Sequence, residues 1–217
     1  MTLGGKADNL LKLSVMFRVP DFFVIAPDEP LDDTLNKFNE LGAEKVAVRS
    51  SAVNEDSKEA AWAGQLETVL NVERGGLVDA IERCRRSADS ERVRAYAAVH
   101  DVESGGVAVI VQKMVHSRVS GVAFSRHPVT GEAKVVVEAV RGLGEKLVSG
   151  FVTPDTYIEG GEEHLTGTEP ILTESELTAV INLTKRVEEF FGYAVDIEWA
   201  YEKDELYLLQ ARPITTV

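Results

Sequence analysis

Four polar residues near the C-terminus are spaced so that they could share one face of a β-hairpin. Asp196 and Glu198 are two residues apart in AVDIEWAY, and Gln210 and Arg212 are two apart in ELYLLQARPI. Alternate residues of a strand point to the same side of a sheet, so each pair shares a face. Oxygen ligands of this kind suit Mg²⁺, which takes one or two carboxylates and completes its shell with water and phosphate oxygens. The pattern favours a magnesium and phosphate site, with a solvated face and an Asp196–Arg212 surface ion pair as the alternative.

The register of the hairpin decides whether the two polar pairs meet. A two-residue loop at 203–204 would pair Glu198 with Leu209 and so mix charged with apolar residues. A three-residue loop, or a bulge that gives the same parity, separates a polar face from an apolar one. This parity predicts the cross-strand pairs Glu198–Gln210, Asp196–Arg212 and Trp199–Leu209. The apolar face then consists of Ile197, Trp199, Tyr201, Tyr207, Leu209 and Ala211.

Two basic residues in the N-terminal half stand where an anion could bind. Arg49 follows the buried-strand pattern of residues 46–48 and precedes Ser50 and Ser51, so its charge needs an anionic partner. Lys6 follows two glycines and precedes a predicted helix, a setting that attracts phosphate through backbone amides and the helix N-terminus. The spacing is not that of the Walker motif, and an exposed lysine after a turn is the alternative for Lys6.

The remaining polar residues show no pattern typical of a nucleophile. The four histidines share no metal-binding spacing, and neither a nucleophile elbow nor a Ser-His-Asp grouping can be read from the sequence. Lysine, arginine, carboxylates and a metal ion are the parts used in phosphoryl transfer, in which a protein mainly positions groups and neutralises charge. Phosphoryl transfer is therefore the chemistry that these residues favour.

Composition narrows the range of partners. Among 217 residues, 36 are acidic and 23 are basic, which gives a formal charge of −13. Such a field repels nucleic acid and anionic membranes, so we expect neither as a partner. The sequence has one cysteine, no apolar run of membrane-spanning length and no secretion-type N-terminus. We therefore expect a cytoplasmic location.

Hydrophobic periodicity predicts an α+β fold. Helices are predicted over ADNLLKLSVMF, GLVDAIERCRRSA, SERVRAYAAVHDVE and TESELTAVINLTKRVEEFFG, the last of which begins with a capping box at Thr173 and Glu176. Strands are predicted over FFVI, VAVRS, LETVLNV, VAVIVQKMV, SGVAFS, KVVVEAV, TYIE and the terminal hairpin. With a hinge near residues 112–117, we divide the chain into two sheet-and-helix lobes, 1–112 and 113–217.

Taken in chain order, several segments resemble a known family. GGKADNL, VAVRSSAVNEDSKEAAWAGQLETVLNV, VQKMVHSRVSGVAFSRHPVTGE, GLGEKLVSG, TPDTY and DIEWAY with LYLLQARPIT are similar to the nucleotide-binding domain of phosphoenolpyruvate synthase and pyruvate phosphate dikinase. The rifampicin phosphotransferases share this domain. The resemblance spans nearly the whole chain and implies the ATP-grasp fold, in which two α+β lobes clasp ATP in a cleft between them.

The resemblance also implies roles for the residues that match the motifs. It gives catalytic roles to Lys6 and Arg49, which would contact the ATP phosphates, and to Arg212, which would reach the transferred phosphate. Glu198 and Gln210 would bind Mg²⁺. The cofactors implied are therefore ATP and Mg²⁺.

Further residues would support the nucleotide. Asp196 would support the metal ligands, and Arg126 and Thr130 of the loop SRHPVTGE would lie near the phosphates. The backbone of the hinge would meet adenine through Gln112, Lys113, Met114 and Val115.

Family enzymes continue into a domain with a phosphorylated histidine and then into a pyruvate-binding domain, and this sequence has no match to that histidine context. The resemblance therefore implies a Mg-ATP-binding component of a phosphotransferase. A separate protein would supply the phosphohistidine and pyruvate-binding parts. Two alternatives remain open: a non-catalytic nucleotide-binding regulatory module, and a stand-alone kinase or ligase acting on a small molecule.

Overall fold

The computed structural model describes residues 3–52, 67–87, 106–144, 147, 150, 152–167 and 169–214. The predicted helix SERVRAYAAVHDVE and most of the segment after Ser51 lie outside these residues. The chain forms two compact units: unit 1 comprises Met1–Lys12 and Pro20–Met114, and unit 2 comprises Leu13–Val19 and Val115–Val217.

Unit 1 contains a four-stranded antiparallel sheet in the order β1-β4-β2-β3. A short 3₁₀ turn, Arg74–Gly76, precedes its third helix. In chain order the elements are α1 (Gly5–Leu13), β1 (Phe22–Ile25), α2 (Thr34–Leu41), β2 (Val46–Ser51), β3 (Thr68–Val72), α3 (Leu77–Ser87) and β4 (Ala108–Lys113).

Strand β2 separates two environments in unit 1. Val46 and Val48 point to an apolar core that they share with α3, whereas Arg49 and Ser51 alternate to the opposite face. Cys84 of α3 lies in that core and its thiol donates to the carbonyl oxygen of Val48 at 3.4 Å. Burial raises the pKa of this thiol to about 12, so Cys84 is a packing residue and not a reactive one.

Unit 2 contains a six-stranded antiparallel sheet in the order β10-β9-β5-β6-β7-β8 and one long helix. The three-residue strand β8 was not predicted from the sequence. The elements are β5 (Val119–Phe124), β6 (Val136–Arg141), β7 (Asp155–Ile158), β8 (Glu162–His164), α4 (Glu174–Phe191), β9 (Val195–Glu202) and β10 (Glu205–Pro213).

Helix α4 covers the apolar face of the unit 2 sheet. Val180 and Val187 are fully buried and pack in one core with Ile197 and Trp199 of β9. The predicted capping box is confirmed. The Thr173 hydroxyl accepts a hydrogen bond from the Glu176 amide, and the Glu176 carboxylate accepts one from the Thr173 amide. This packing leaves the other face of the sheet free of α4.

Close packing between strands β5, β6 and β9 depends on one glycine. A Cβ atom at Gly121 would lie 1.8 Å from the carbonyl oxygen of Glu138 and 2.9 Å from Cζ2 of Trp199. No side chain can occupy that space, so the centre of the unit 2 sheet requires glycine at this position.

The segment Leu13–Val19 begins at the last residue of α1 and belongs to unit 2, whereas the preceding residues of α1 belong to unit 1. Leu13 is fully buried in the unit 2 core, and the carbonyl oxygen of Arg18 accepts from the amide of Leu208 at 2.9 Å. The sequence-based division into 1–112 and 113–217 did not place Leu13–Val19 with the C-terminal residues, because that packing joins residues far apart in the chain. The functional assignment of the two lobes stays a prediction.

In the described part of the chain, no helix has the length and apolar character needed to cross a lipid bilayer.

Candidate functional site

The terminal hairpin has the predicted polar register, reached through a bulge. A two-residue turn pairs Glu202 with Glu205, and the register then shifts between Leu208 and Gln210. Beyond this bulge Gln210 pairs with Glu198, and in the next polar row Arg212 pairs with Asp196. Both predicted polar pairs are therefore confirmed.

The predicted apolar side of β10 was wrong on the turn side of the bulge. Leu208, not Leu209, pairs with Trp199, and Leu208 is 1% exposed. Leu206 also packs against the core, in the place predicted for Tyr207. An unpaired extra residue at a bulge reverses the alternation of side chains along the strand, which is why the two halves of β10 bury residues of opposite parity.

Asp196 and Arg212 form an ion pair on the polar face. The Nε atom of Arg212 lies 2.8 Å and 2.7 Å from the two carboxylate oxygens of Asp196. The Asp196 side chain is 15% exposed and that of Arg212 is 44% exposed. This is the pair that the alternative interpretation expected, and it fixes the plane of the guanidinium through Nε.

The metal-ligand candidates lie beside this pair. Gln210 is 5% exposed, and Glu198 is half-buried on the neighbouring strand. A carboxylate and a carboxamide on directly paired residues are donors of the type that Mg²⁺ accepts, with water and phosphate completing the shell. Within the described residues there is no cluster of three or more His, Cys, Asp or Glu side chains that could hold a metal ion. The donor set thus fits a metal that shares its coordination with a ligand.

Sequence reasoning missed a third carboxylate on the polar face. The register of β9, β5 and β6 places Glu198, Val122 and Glu138 in one row across three strands. Glu138 is half-buried, and loss of hydration raises the pKa of its carboxyl group. Two strand spacings, roughly 9.5 Å, separate the backbones of the two glutamates. The signal in the sequence was a single acid inside the apolar run KVVVEAV.

In unit 1, the start of α1 is docked onto the end of β2. The amide of Gly5 donates to the carbonyl oxygen of Ala52 at 3.2 Å, and the amide of Ala7 donates to Oγ of Ser51 at 3.0 Å. Two amides of the helix N-terminus are thus bonded to β2, so a phosphate at this site would meet the side chain of Lys6 and not these amides. Arg49 lies two residues before Ser51 on the same strand face.

The hinge residues 112–115 use part of their backbone within unit 1. The amides of Lys113 and Met114 donate to the carbonyl oxygens of Asp21 and Lys45, at 2.9 Å and 3.0 Å. An adenine contact through this segment would have to use other backbone groups.

The loop 125–132 between β5 and β6 is closed by its own hydrogen bonds. Nδ1 of His127 accepts from the amides of Val129 and Thr130, at 3.2 Å and 3.3 Å. The Nε atom of Arg126 lies 3.6 Å from the carboxylate of Glu188 on α4. Because α4 covers the apolar face, the structure does not bring Arg126 together with the polar residues of the hairpin.

Comparison with known proteins identifies the family. The AMP/ATP-binding domain of pyruvate phosphate dikinase matches residues 28–167 and 161–217. The probable phosphoenolpyruvate synthase of Archaeoglobus fulgidus is 39% identical over 203 residues, covering 79% of this chain and 27% of the relative. The phosphoenolpyruvate synthase of Pyrococcus furiosus is 36% identical over 239 residues, covering 88% and 29%. This chain thus spans less than a third of the length of these relatives.

A solved structure supports the fold. The D-alanine–D-alanine ligase of Bacillus anthracis, complexed with ATP, matches with a TM-score of 0.53 at 12% identity, covering 96% of this chain and 54% of the ligase. At that identity the likeness concerns the fold, and it confirms the expected α+β ATP-grasp architecture. With the family match, these observations show that the chain belongs to the pyruvate phosphate dikinase AMP/ATP-binding domain family.

Proposed function

We propose that this chain binds ATP together with Mg²⁺ for transfer of a phosphoryl group from that ATP, as the nucleotide-binding component of a transferase of the phosphoenolpyruvate synthase or pyruvate phosphate dikinase type. The polar face of the β9–β10 hairpin carries this proposal, because it sets Glu198 opposite Gln210 and Asp196 opposite Arg212. A histidine-bearing, pyruvate-binding domain or protein would accept the phosphoryl group. A cytoplasmic location is part of the proposal.

Glu198 and Gln210 are the residues that would hold the metal. The two residues are paired directly across the strands, and Gln210 is almost fully buried, so its side chain has little freedom. The ion would neutralise phosphate charge when bound. Glu138, in the same row, would keep that face acidic and favour a cation there.

Arg212 would contact the transferred phosphate, and Asp196 would orient it. Asp196 binds Nε and so restrains the guanidinium, while the side chain of Arg212 stays 44% exposed. A planar guanidinium held in this way can meet phosphate oxygens with little loss of side-chain freedom. The role of Asp196 is therefore support for Arg212 as well as for the metal ligands.

Lys6 and Arg49 would contact the ATP phosphates. Two hydrogen bonds to the end of β2 flank Lys6, and Arg49 precedes that end by two residues. The backbone of Gln112, Lys113, Met114 and Val115 would meet adenine. Arg126 and Thr130 would contact phosphate only if their loop moved, since Arg126 now faces Glu188.

The test is calorimetric titration of ATP into the purified chain, with and without Mg²⁺. We expect magnesium-dependent binding that falls at least about tenfold in Glu198→Ala, because a metal ligand is lost. Glu189→Ala, which removes an exposed carboxylate of α4, is the matched control and should bind as the wild type does. Equal affinities for Glu198→Ala and wild type would refute the metal assignment, and no binding by the wild type would refute the proposed function.

A further inference from the structure

The hydroxyl of Ser51 links the first turn of α1, which carries Lys6, to β2, which carries Arg49. We infer that Ser51 is a positioning residue, which holds the first turn of α1 on β2 and so sets the place of Lys6 relative to Arg49. The inference rests on the proposed function of Lys6 and Arg49.

The contacts around Lys6 carry this inference. Ser51 is fully buried, and its Oγ accepts the Ala7 amide at 3.0 Å across 44 positions of sequence. On the other side of Lys6, the Gly5 amide donates to the carbonyl oxygen of Ala52 at 3.2 Å. Both neighbours of Lys6 are therefore bonded to consecutive residues of one chain segment, which leaves the backbone of Lys6 little freedom.

The approach of α1 to β2 is close enough to require glycine. Gly4 has a φ of +89°, and a Cβ atom there would lie 2.5 Å from Oγ and 2.6 Å from the carbonyl oxygen of Ser51. A side chain at Gly4 would push the turn away from the strand. The motif GGK therefore serves docking, and Lys6 is placed by that docking.

Arg49 lies on the same strand as Ser51, the residue to which α1 is bonded. Arg49 and Ser51 are alternate residues of β2 and point to the same face, so the serine that binds α1 and the arginine that would bind phosphate move together. Fixing the backbones that carry two cations reduces the rearrangement needed when an anion binds, which is the benefit of a preorganised site. Without the hydroxyl, the buried Ala7 amide loses its acceptor, and α1 loses this hydrogen bond to β2.

The chain contains a matched control in the preceding residue. Ser50 is 1% exposed, but its side chain points to the opposite face, where its Oγ donates to the carbonyl oxygen of Glu67 at 3.0 Å. Ser50→Ala and Ser51→Ala each remove one buried hydroxyl and one hydrogen bond from the same strand. Only Ser51→Ala changes the contact with α1.

The experiment is a double-mutant cycle read by calorimetric titration of Mg-ATP. We expect Ser51→Ala to lower the affinity about fivefold, and to lower it less than twofold in the Lys6→Ala background, because its effect passes through Lys6. The Mg-ATP affinity of Ser50→Ala should stay within about twofold of the wild type, even if Ser50→Ala loses as much thermal stability as Ser51→Ala. If Ser51→Ala does not fold, Gly4→Ala takes its place, since it displaces the same turn while keeping the hydroxyl.

Two results would overturn the inference. In the first, Ser51→Ala binds Mg-ATP as tightly as Ser50→Ala. In the second, Ser51→Ala lowers the Mg-ATP affinity by the same factor in the wild-type and Lys6→Ala backgrounds. Failure of the proposed function looks different, because then the wild type itself does not bind ATP or Lys6→Ala has no effect.

Discussion

Two candidate binding regions, the β9–β10 hairpin of unit 2 and the α1–β2 junction of unit 1, are built in different ways. In the hairpin, strands joined by a two-residue turn place Glu198 and Gln210 opposite each other. In the junction, residues 44 positions apart make the contact, and a glycine with positive φ allows it. Alternation of side chains is a local rule that can be applied to a sequence, whereas the docking of a helix turn on a distant strand is not.

The largest effect is expected from a change that breaks the sheet behind the hairpin. Gly121→Ala places a methyl group 1.8 Å from the carbonyl oxygen of Glu138, so β5 must separate from β6 or the fold must fail. We expect a loss of at least about 3 kcal/mol in the free energy of unfolding, measured by urea titration. Gly75→Ala, in the 3₁₀ turn with no atom within 4 Å of the new Cβ, is the control. Comparable stability of the two variants would show that the sheet can absorb the methyl group.

The hydrogen bonds of Asp155 in unit 2 also join residues that are distant in the sequence, and they test how much such contacts contribute to stability. Asp155 is fully buried and accepts from the amide of Thr166 at 2.7 Å, from its hydroxyl at 2.6 Å and from the amide of Ile171 at 3.1 Å. Burial opposes ionisation, but the hydrogen bonds from Thr166 and Ile171 outweigh it and lower the pKa of Asp155. The ionised carboxylate therefore stabilises the folded state.

Asp155→Asn should lower the free energy of unfolding by about 2 kcal/mol at pH 7. Because the pKa is lower in the folded state, this stabilisation is complete above the unfolded pKa and disappears as pH falls through the folded value. Urea titrations at pH 7, 5 and 3 should thus show wild type and variant converging in acid. Asp204→Asn, in the exposed hairpin turn, should show no such convergence. If wild type and Asp155→Asn differed by the same free energy of unfolding at all three pH values, the ionised Asp155 carboxylate would not be the source of the stabilisation.

The smallest effect on stability is expected within the hairpin itself. Asp196→Asn keeps the shape but removes the charge that holds Arg212, and an ion pair whose arginine is 44% exposed contributes about 1 kcal/mol or less to stability. Affinity for Mg-ATP should nevertheless fall about fivefold, because Arg212 is no longer oriented. Calorimetry and urea titration on the same samples separate the two quantities. A stability loss without a change in affinity would reduce the pair to a surface ion pair.

Sequence reasoning succeeded where a rule depends on near neighbours. The parity argument for Glu198 and Gln210 and the capping box at Thr173 both follow from spacing, and the structure confirms both. The parity was reached by a bulge and not by a longer loop, because a bulge and an extra loop residue shift the register equally.

Other features could not be read from spacing. The position of Glu138 on the polar face depends on which strand neighbours β5, and the direction of Arg126 depends on where α4 packs. The bonds between α1 and β2 depend on a contact between distant segments. Each needs the tertiary arrangement, which periodicity does not contain.

Because Leu13–Val19 belongs to unit 2 although residues of unit 1 flank it in the sequence, the chain cannot be cut once into its two units. A polypeptide that begins at Val115 would lack Leu13, which is fully buried in the unit 2 core, and one that ends at Met114 would carry Leu13 without the surface that buries it. No single break in the gene yields two intact halves. The two units are therefore expected to be inherited, exchanged and expressed as one piece.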